Sequence, residues 1–235
     1  MRTIKQLLVV LLGVLVLQAS AARNSSRQKR ELTGFHGISV ANGIDLYLSQ
    51  KSAEEVIVEA NADVMDKIIT KVEAGVLKIS MKSNLGFSLR WDNEPRKVFV
   101  SFKNLDILEA SSGSDVYSQA ALKLDKLNLN ASSGSDVKLE LEADALNAES
   151  SSGSDISLKG KVHVFSCDAS SGSDIVAGEL KTQKCTARAS SGSDIRVYVS
   201  GELNADASSG GDICYSGNPK SKDINESSGG DIHQK

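Results

Sequence analysis

The most regularly placed carboxylates in the chain are Asp115, Asp136, Asp155, Asp174, Asp194, Asp212 and Asp231. Each closes a segment that reads SSGSD in the earlier copies and SSGGD in the last two. Repeated oxygen ligands could hold calcium, and neighbouring carboxylates could act as acid and base on a glycan. Ser114, Ser135, Ser154, Ser173 and Ser193 stand beside them, and a strip of hydroxyls and carboxylates suits hydrogen bonding to a ligand. These serines and aspartates form the candidate binding ladder.

The repetition argues against chemistry. A catalytic centre breaks a repeat at one place, whereas these residues recur in every copy. His36, His163 and His233 are scattered without zinc-type spacing, and no GxSxG elbow is present. No catalytic residue, cofactor or metal site is assigned. A carbohydrate-active enzyme is the rival reading, and calcium bridging at the same aspartates is a second. The calcium-binding nonapeptide repeat, however, carries about twice this density of aspartate. Aligned on coils about 4.8 Å apart, neighbouring carboxylates repel by roughly 0.9 kcal/mol in water. Charge-assisted bonds from turn N–H groups are the expected compensation.

These side chains need a scaffold that repeats with them. Gly113, Gly134, Gly153, Gly172, Gly192, Gly210 and Gly229 follow one another at intervals of 21, 19, 19, 20, 18 and 19 residues. Between them polarity alternates with period two, the mark of strands with one buried face. Leu127, Leu129 and Ala131 point inward, as do Leu146, Ala148 and Ser150, then Phe165, Cys167 and Ala169, then Cys185, Ala187 and Ala189, and finally Leu203, Ala205 and Ala207. Three residues after each glycine stands Val116, Val137, Ile156, Ile175, Ile195, Ile213 or Ile232. A unit this short cannot bury its own apolar face, but stacked units share one core. The expected fold is all-β, a right-handed parallel β-helix with coils of about 20 residues. Glu226 breaks the inward pattern in the last copy and reads as part of a polar cap.

The chain opens with a charged start, an apolar run from Leu7 to Leu17 and small residues to Ala22, the plan of a secretory leader over residues 1–22. As a helix that run rises about 16 Å, too short to span a bilayer. No transmembrane segment is expected in the mature chain, which is placed in the periplasm, on the outer membrane surface or outside the cell. Of 27 basic residues, Arg2 and Lys5 leave with the leader, so 25 face 30 acidic and the net charge is −5. That disfavours nucleic acid. Residues 23–33 read as a solvated basic linker, 34–104 as degenerate coils and a cap, and 105–235 as the regular coils. Cys167, Cys185 and Cys214 are too few for a disulfide framework. Cys167 and Cys185 read as buried small hydrophobes.

Strand patterning continues through the degenerate half, with Met65–Val72 open between a helical turn and a strand. FHGISVANGIDLYLSQ from Phe35, EEVIVEANADVMDKIITKVEAGVLKIS from Glu54 and KVFVSFKNLDILEASSGSD from Lys97 together resemble the head GIN domain family of auto-transporter adhesins. The resemblance runs from Phe35 to the C-terminus. It implies a right-handed β-helix in an exported bacterial envelope protein and supplies no active-site residues. The functional expectation is a non-enzymatic binding or structural module whose partner is a surface glycan or an envelope protein.

Overall fold

A computed structural model describes residues 25–82 and 96–235. The leader expected over 1–22 lies outside the described residues. Period-two polarity, interrupted by a glycine corner once per coil, produces strands throughout: β1 (Ser25–Arg30), β2 (Gly37–Ala41), β3 (Asp45–Gln50), β4 (Glu55–Asn61), β5 (Ile68–Glu73), β6 (Val76–Met81), β7 (Arg96–Phe102), β8 (Ile107–Ser111) and β9 (Asp115–Ser118) precede the long wraps β10 (Leu122–Ser132), β11 (Asp136–Ser151), β12 (Asp155–Ser170), β13 (Asp174–Ser190) and β14 (Asp194–Ser208), and β15 (Asp212–Ser216), β16 (Ser221–Glu226) and β17 (Asp231–Gln234) follow.

The strands stack in parallel as a β-solenoid. β2 lies on β8 and β8 on β10, while β3 lies on β9 and β9 on β11, so the degenerate half and the regular half share one continuous stack. From there β11 to β14 pair successively along nearly their whole length. At the N-terminal end the pairing turns antiparallel, with β7 on β4 and β5 on β6. Met65–Val72 resolves into both alternatives: helix α1 (Ala62–Met65) ends there, and β5 begins three residues later at Ile68.

Every inward position read from the sequence is buried, from Leu127 to Ala207, as is each Val or Ile three residues past a corner glycine. Together they fill one core running the length of the stack. Small residues before each corner serve a double purpose. Ala110, Ala131 and Ala169 fit the tight bend and present carbonyls that the next coil uses.

The basic stretch is not a free linker. Residues 25–30 form β1, antiparallel to β4 and almost wholly exposed. No apolar alternation announces such a strand, because edge backbone bonds and ion pairs hold it instead. Arg27 reaches Glu59 at 2.6 Å and Lys29 lies 3.8 Å from Glu55.

Candidate functional site

Each corner is built from two successive left-handed residues. Ser112 and Gly113 have φ of 56° and 70°, and the same pair of signs recurs at all seven corners. A Cβ on Gly113, Gly134, Gly153, Gly172, Gly192, Gly210 or Gly229 would meet nothing within 4 Å. Backbone angle rather than crowding therefore calls for glycine there. The preceding serine accepts a conformation that costs a Cβ-bearing residue roughly 1–2 kcal/mol. The corner amides bond upward: Gly134 N–H donates to Ser152 O and Gly153 N–H to Ser171 O.

The next serine points inward, which corrects the five serines of the expected ladder. Ser114, Ser135, Ser154, Ser173 and Ser193 are all fully buried. The hydroxyls of Ser135, Ser154, Ser173 and Ser193 donate to Ala110 O, Ala131 O, Ser150 O and Ala169 O of the coil before, at 2.7–3.0 Å. The same oxygens accept the N–H three residues earlier, as from Ser132 to Ser135 at 3.1 Å. Ser114 accepts Ile44 N–H. These hydroxyls bind one coil to the next and are sealed from any ligand. In the SSGGD corners a different bond closes the turn, Gly211 N–H to Ser208 O and Gly230 N–H to Ser227 O, both 2.9 Å. A Cβ on Gly211 would lie 2.5 Å from the Ala189 carbonyl carbon, so these last corners have no room for serine.

The aspartates do align. Asp115, Asp136, Asp155, Asp174, Asp194, Asp212 and Asp231 are partners in register from coil to coil. The sequence reading missed an eighth: Leu46 pairs with Val116, which sets Asp45 beside Asp115. Its corner, Ala41-Asn42-Gly43-Ile44-Asp45, also has two successive positive φ values, 71° and 67°. Burial and then Asp115 raise the Asp45 carboxyl against the pull of Lys97. Asp136 is raised by burial, then by Asp115 and Asp155, against Lys138.

Turn amides are not the general compensation expected for these charges. The turn N–H bond found reaches Asp174 from Asp194 at 3.3 Å. Side chains act elsewhere: Tyr117 donates its hydroxyl to Asp115 at 3.2 Å, Arg196 stands 3.8 Å from Asp194, and the His233 ring lies 3.1 Å from Asp231. Corner amides are already spent on the neighbouring coil, as in Asp155 N–H to Ser135 O. Among the described residues no three His, Cys, Asp or Glu side chains gather to hold a metal.

Most residues two and four past the aspartates from Asp115 onward line a groove of about 720 Å³ beside the ladder. Tyr117, Lys138, Lys159, Val176, Arg196 and Lys235 give it a mixed lining. Lys159 pairs with Glu140 at 3.0 Å. The groove passes Gly178, where β13 breaks register with both neighbours, between Val176 and Glu179 against β12 and between Ala177 and Lys181 against β14. The β12–β13 break absorbs the extra residue of the coil from Asp174 to Asp194. Toward the N-terminal end the same outward column becomes aromatic. Tyr47 stacks on Phe99 at 5.0 Å and on Tyr117 at 5.5 Å, with Arg27 over Phe99 and Lys138 over Tyr117. Burial, then Asp115, pushes the Tyr117 hydroxyl up to about 12. Hydrogen-bonding groups, an aromatic ring and an exposed Val176 on one flank can bind a partner.

The family profile described as "Putative auto-transporter adhesin, head GIN domain" matches residues 34–219. The chain belongs to the head GIN domain family. Solved structures share the fold of this head GIN chain at low identity. A putative adhesin from Bacteroides fragilis superposes with a TM-score of 0.82 at 19% identity, covering 91% of this chain and 98% of that one. A putative adhesin from Parabacteroides merdae gives 0.71 at 16% identity, covering 90% and 96%. A putative lipid binding protein from Parabacteroides distasonis gives 0.66 at 20% identity, covering 89% and 97%. No curated protein matches the sequence. Among the described residues no helix is long and apolar enough to cross a membrane.

Proposed function

We propose that this head GIN chain is an exported, non-enzymatic, adhesin-like protein of the bacterial surface that binds its partner along the solenoid flank. The supporting observation is the outward groove of about 720 Å³ beside the aspartate ladder, where Tyr117, Lys138, Lys159, Val176 and Arg196 are presented by successive coils. Contacts repeated along a rigid stack suit an extended polymer, and a surface glycan fits this mixed lining better than a compact ligand. An envelope protein is the alternative occupant. Of the expected ladder, Asp115, Asp136, Asp155, Asp174, Asp194, Asp212 and Asp231 remain as the rim of this surface.

The test has two arms. Cell fractionation with protease shaving is expected to place the protein where protease reaches it. Purified protein is expected to be retained by immobilised surface glycans, and Arg196→Glu with Lys138→Glu to lose that retention without loss of fold. Protein confined to the cytoplasm, or retention unchanged in the double variant, refutes the proposal. New reducing ends released from polysaccharide would show enzyme chemistry instead.

A further inference from the structure

The C-terminal end of the described stack is formed by β16 and β17. Among the described residues each is paired on one side, β16 with β14 and β17 with β15. All six residues of β16 are exposed. Three of them nonetheless continue inward columns, because the register sets Lys222 on Leu203, Ile224 on Ala205 and Glu226 on Ala207, all buried. Ile224 is 40% exposed. Val164 and Val176, comparably exposed, sit on outward positions, so Ile224 marks an unfinished core column.

An open strand edge over an unfinished column accepts another strand, and the spacing selects which one. In an antiparallel pairing centred on Ile224, that residue meets the same residue of a second copy. Lys222 then faces the second copy's Glu226, and Glu226 faces its Lys222. Sliding the register by two sets Ile224 against a charge instead, so one alignment satisfies both apolar and charged positions. We propose that two copies associate tail to tail, β16 pairing antiparallel with the β16 of a second copy across a twofold axis through Ile224.

The side chains have the capacity for it. Residues directly opposite in an antiparallel pair have Cβ atoms about 4.5–5.5 Å apart, within reach of a lysine–glutamate pair. In the single chain Lys222 Nζ donates to the Tyr215 hydroxyl at 3.2 Å, and Glu226 Oε1 accepts Ile232 N–H at 2.9 Å. Lysine has further N–H groups and glutamate a second oxygen for the other copy. The end of one coil is a small surface, at the low end of specific interfaces, so the dimer is weak and concentration-dependent.

Sedimentation velocity of the purified protein, from micromolar to near-millimolar concentration, is expected to show the mass doubling. Lys222→Glu and Glu226→Lys each leave like charges facing across the axis, and each variant alone is expected to stay monomeric with an unchanged circular dichroism spectrum. Mixing the two restores the doubled mass, because one copy then presents only acid and the other only base. Should either variant unfold, Ile224→Cys in a Cys214→Ala background is the second measurement: it sits on the axis, and copper–phenanthroline oxidation should cross-link it to its counterpart. A wild-type chain monomeric at every concentration overturns the proposal. So does a dimer that survives Lys222→Glu, a mixture that stays monomeric, or the absence of cross-link at position 224.

Discussion

Replacing Ser154 by alanine deletes one oxygen from the interior, and its cost follows from what that oxygen holds. Ser154 Oγ accepts Ser151 N–H at 3.1 Å, donates to Ala131 O of the coil before at 2.8 Å, and lies 2.9 Å from Ser150 Oγ. Alanine fills the space but takes the hydroxyl's bonds from a corner amide and a buried carbonyl. Each such bond is worth about 0.5–1.5 kcal/mol net. The expected loss is about 1–3 kcal/mol, a fall in melting temperature of roughly 2–12 °C for a chain of this size. Ser152→Ala, at the exposed left-handed position two residues earlier, is the control and should change stability by less than about 0.5 kcal/mol. Urea unfolding followed by circular dichroism measures both. A Ser154→Ala midpoint equal to wild type at unchanged m would refute the claim that buried corner hydroxyls tie the coils together.

Ser152→Asn should stabilise the fold by about 0.5–1 kcal/mol, because asparagine tolerates the left-handed region better than serine; Asn42 already occupies that place in the related corner, and a thermal melt decides it. Gly211→Ser should cost about 2–3 kcal/mol or more, since its Cβ would press on the Ala189 backbone; a variant as stable as wild type would show that the two corner types are interchangeable. Asp45 and Asp136 are both raised, so the folded chain binds these protons more tightly than the unfolded one, and their contribution to stability increases as pH falls from neutral toward the ordinary aspartate value of about 3.9. Glu73, lowered by Lys71 and Lys78, works in the opposite sense. Asp136→Asn should therefore stabilise at neutral pH by up to about 1 kcal/mol at low salt, and lose that advantage once the aspartates protonate; melting curves of both chains across pH measure the difference.

The coils and their core were legible because glycine corners and period-two alternation are local signals that stacking merely repeats. Leu127, Phe165 and Ile195 could be placed inward by counting from the nearest glycine. The same count held the answer for Ser114 and its equivalents: they stand two residues before a buried Val or Ile and so share its face. Their polarity suggested an outward, ligand-facing role, but the bend carbonyls of the coil before supply partners that no local pattern reveals. Asp45 escaped notice because its corner reads ANGID, although its Asn-Gly takes up the same pair of left-handed conformations as Ser-Gly. Strand β1 gave no signal, since an exposed edge strand has no apolar face to show. The groove beside the ladder depends on the register break past Ala177 and on which outward columns adjoin, both properties of the stack rather than of any one coil.

The most direct test of the stacked register is a distance ladder along the corners. Spin labels are attached at Ser133 and, in turn, at Ser191, Ser209 or Ser228, in a chain whose Cys167, Cys185 and Cys214 are replaced by alanine. Coils in register place these sites three, four and five rungs apart, so electron–electron resonance should give separations rising by about 4.8 Å per rung, from roughly 14 to roughly 24 Å. Separations that do not increase steadily with rung number would contradict the stack, and with it the continuous flank on which the proposed binding surface depends.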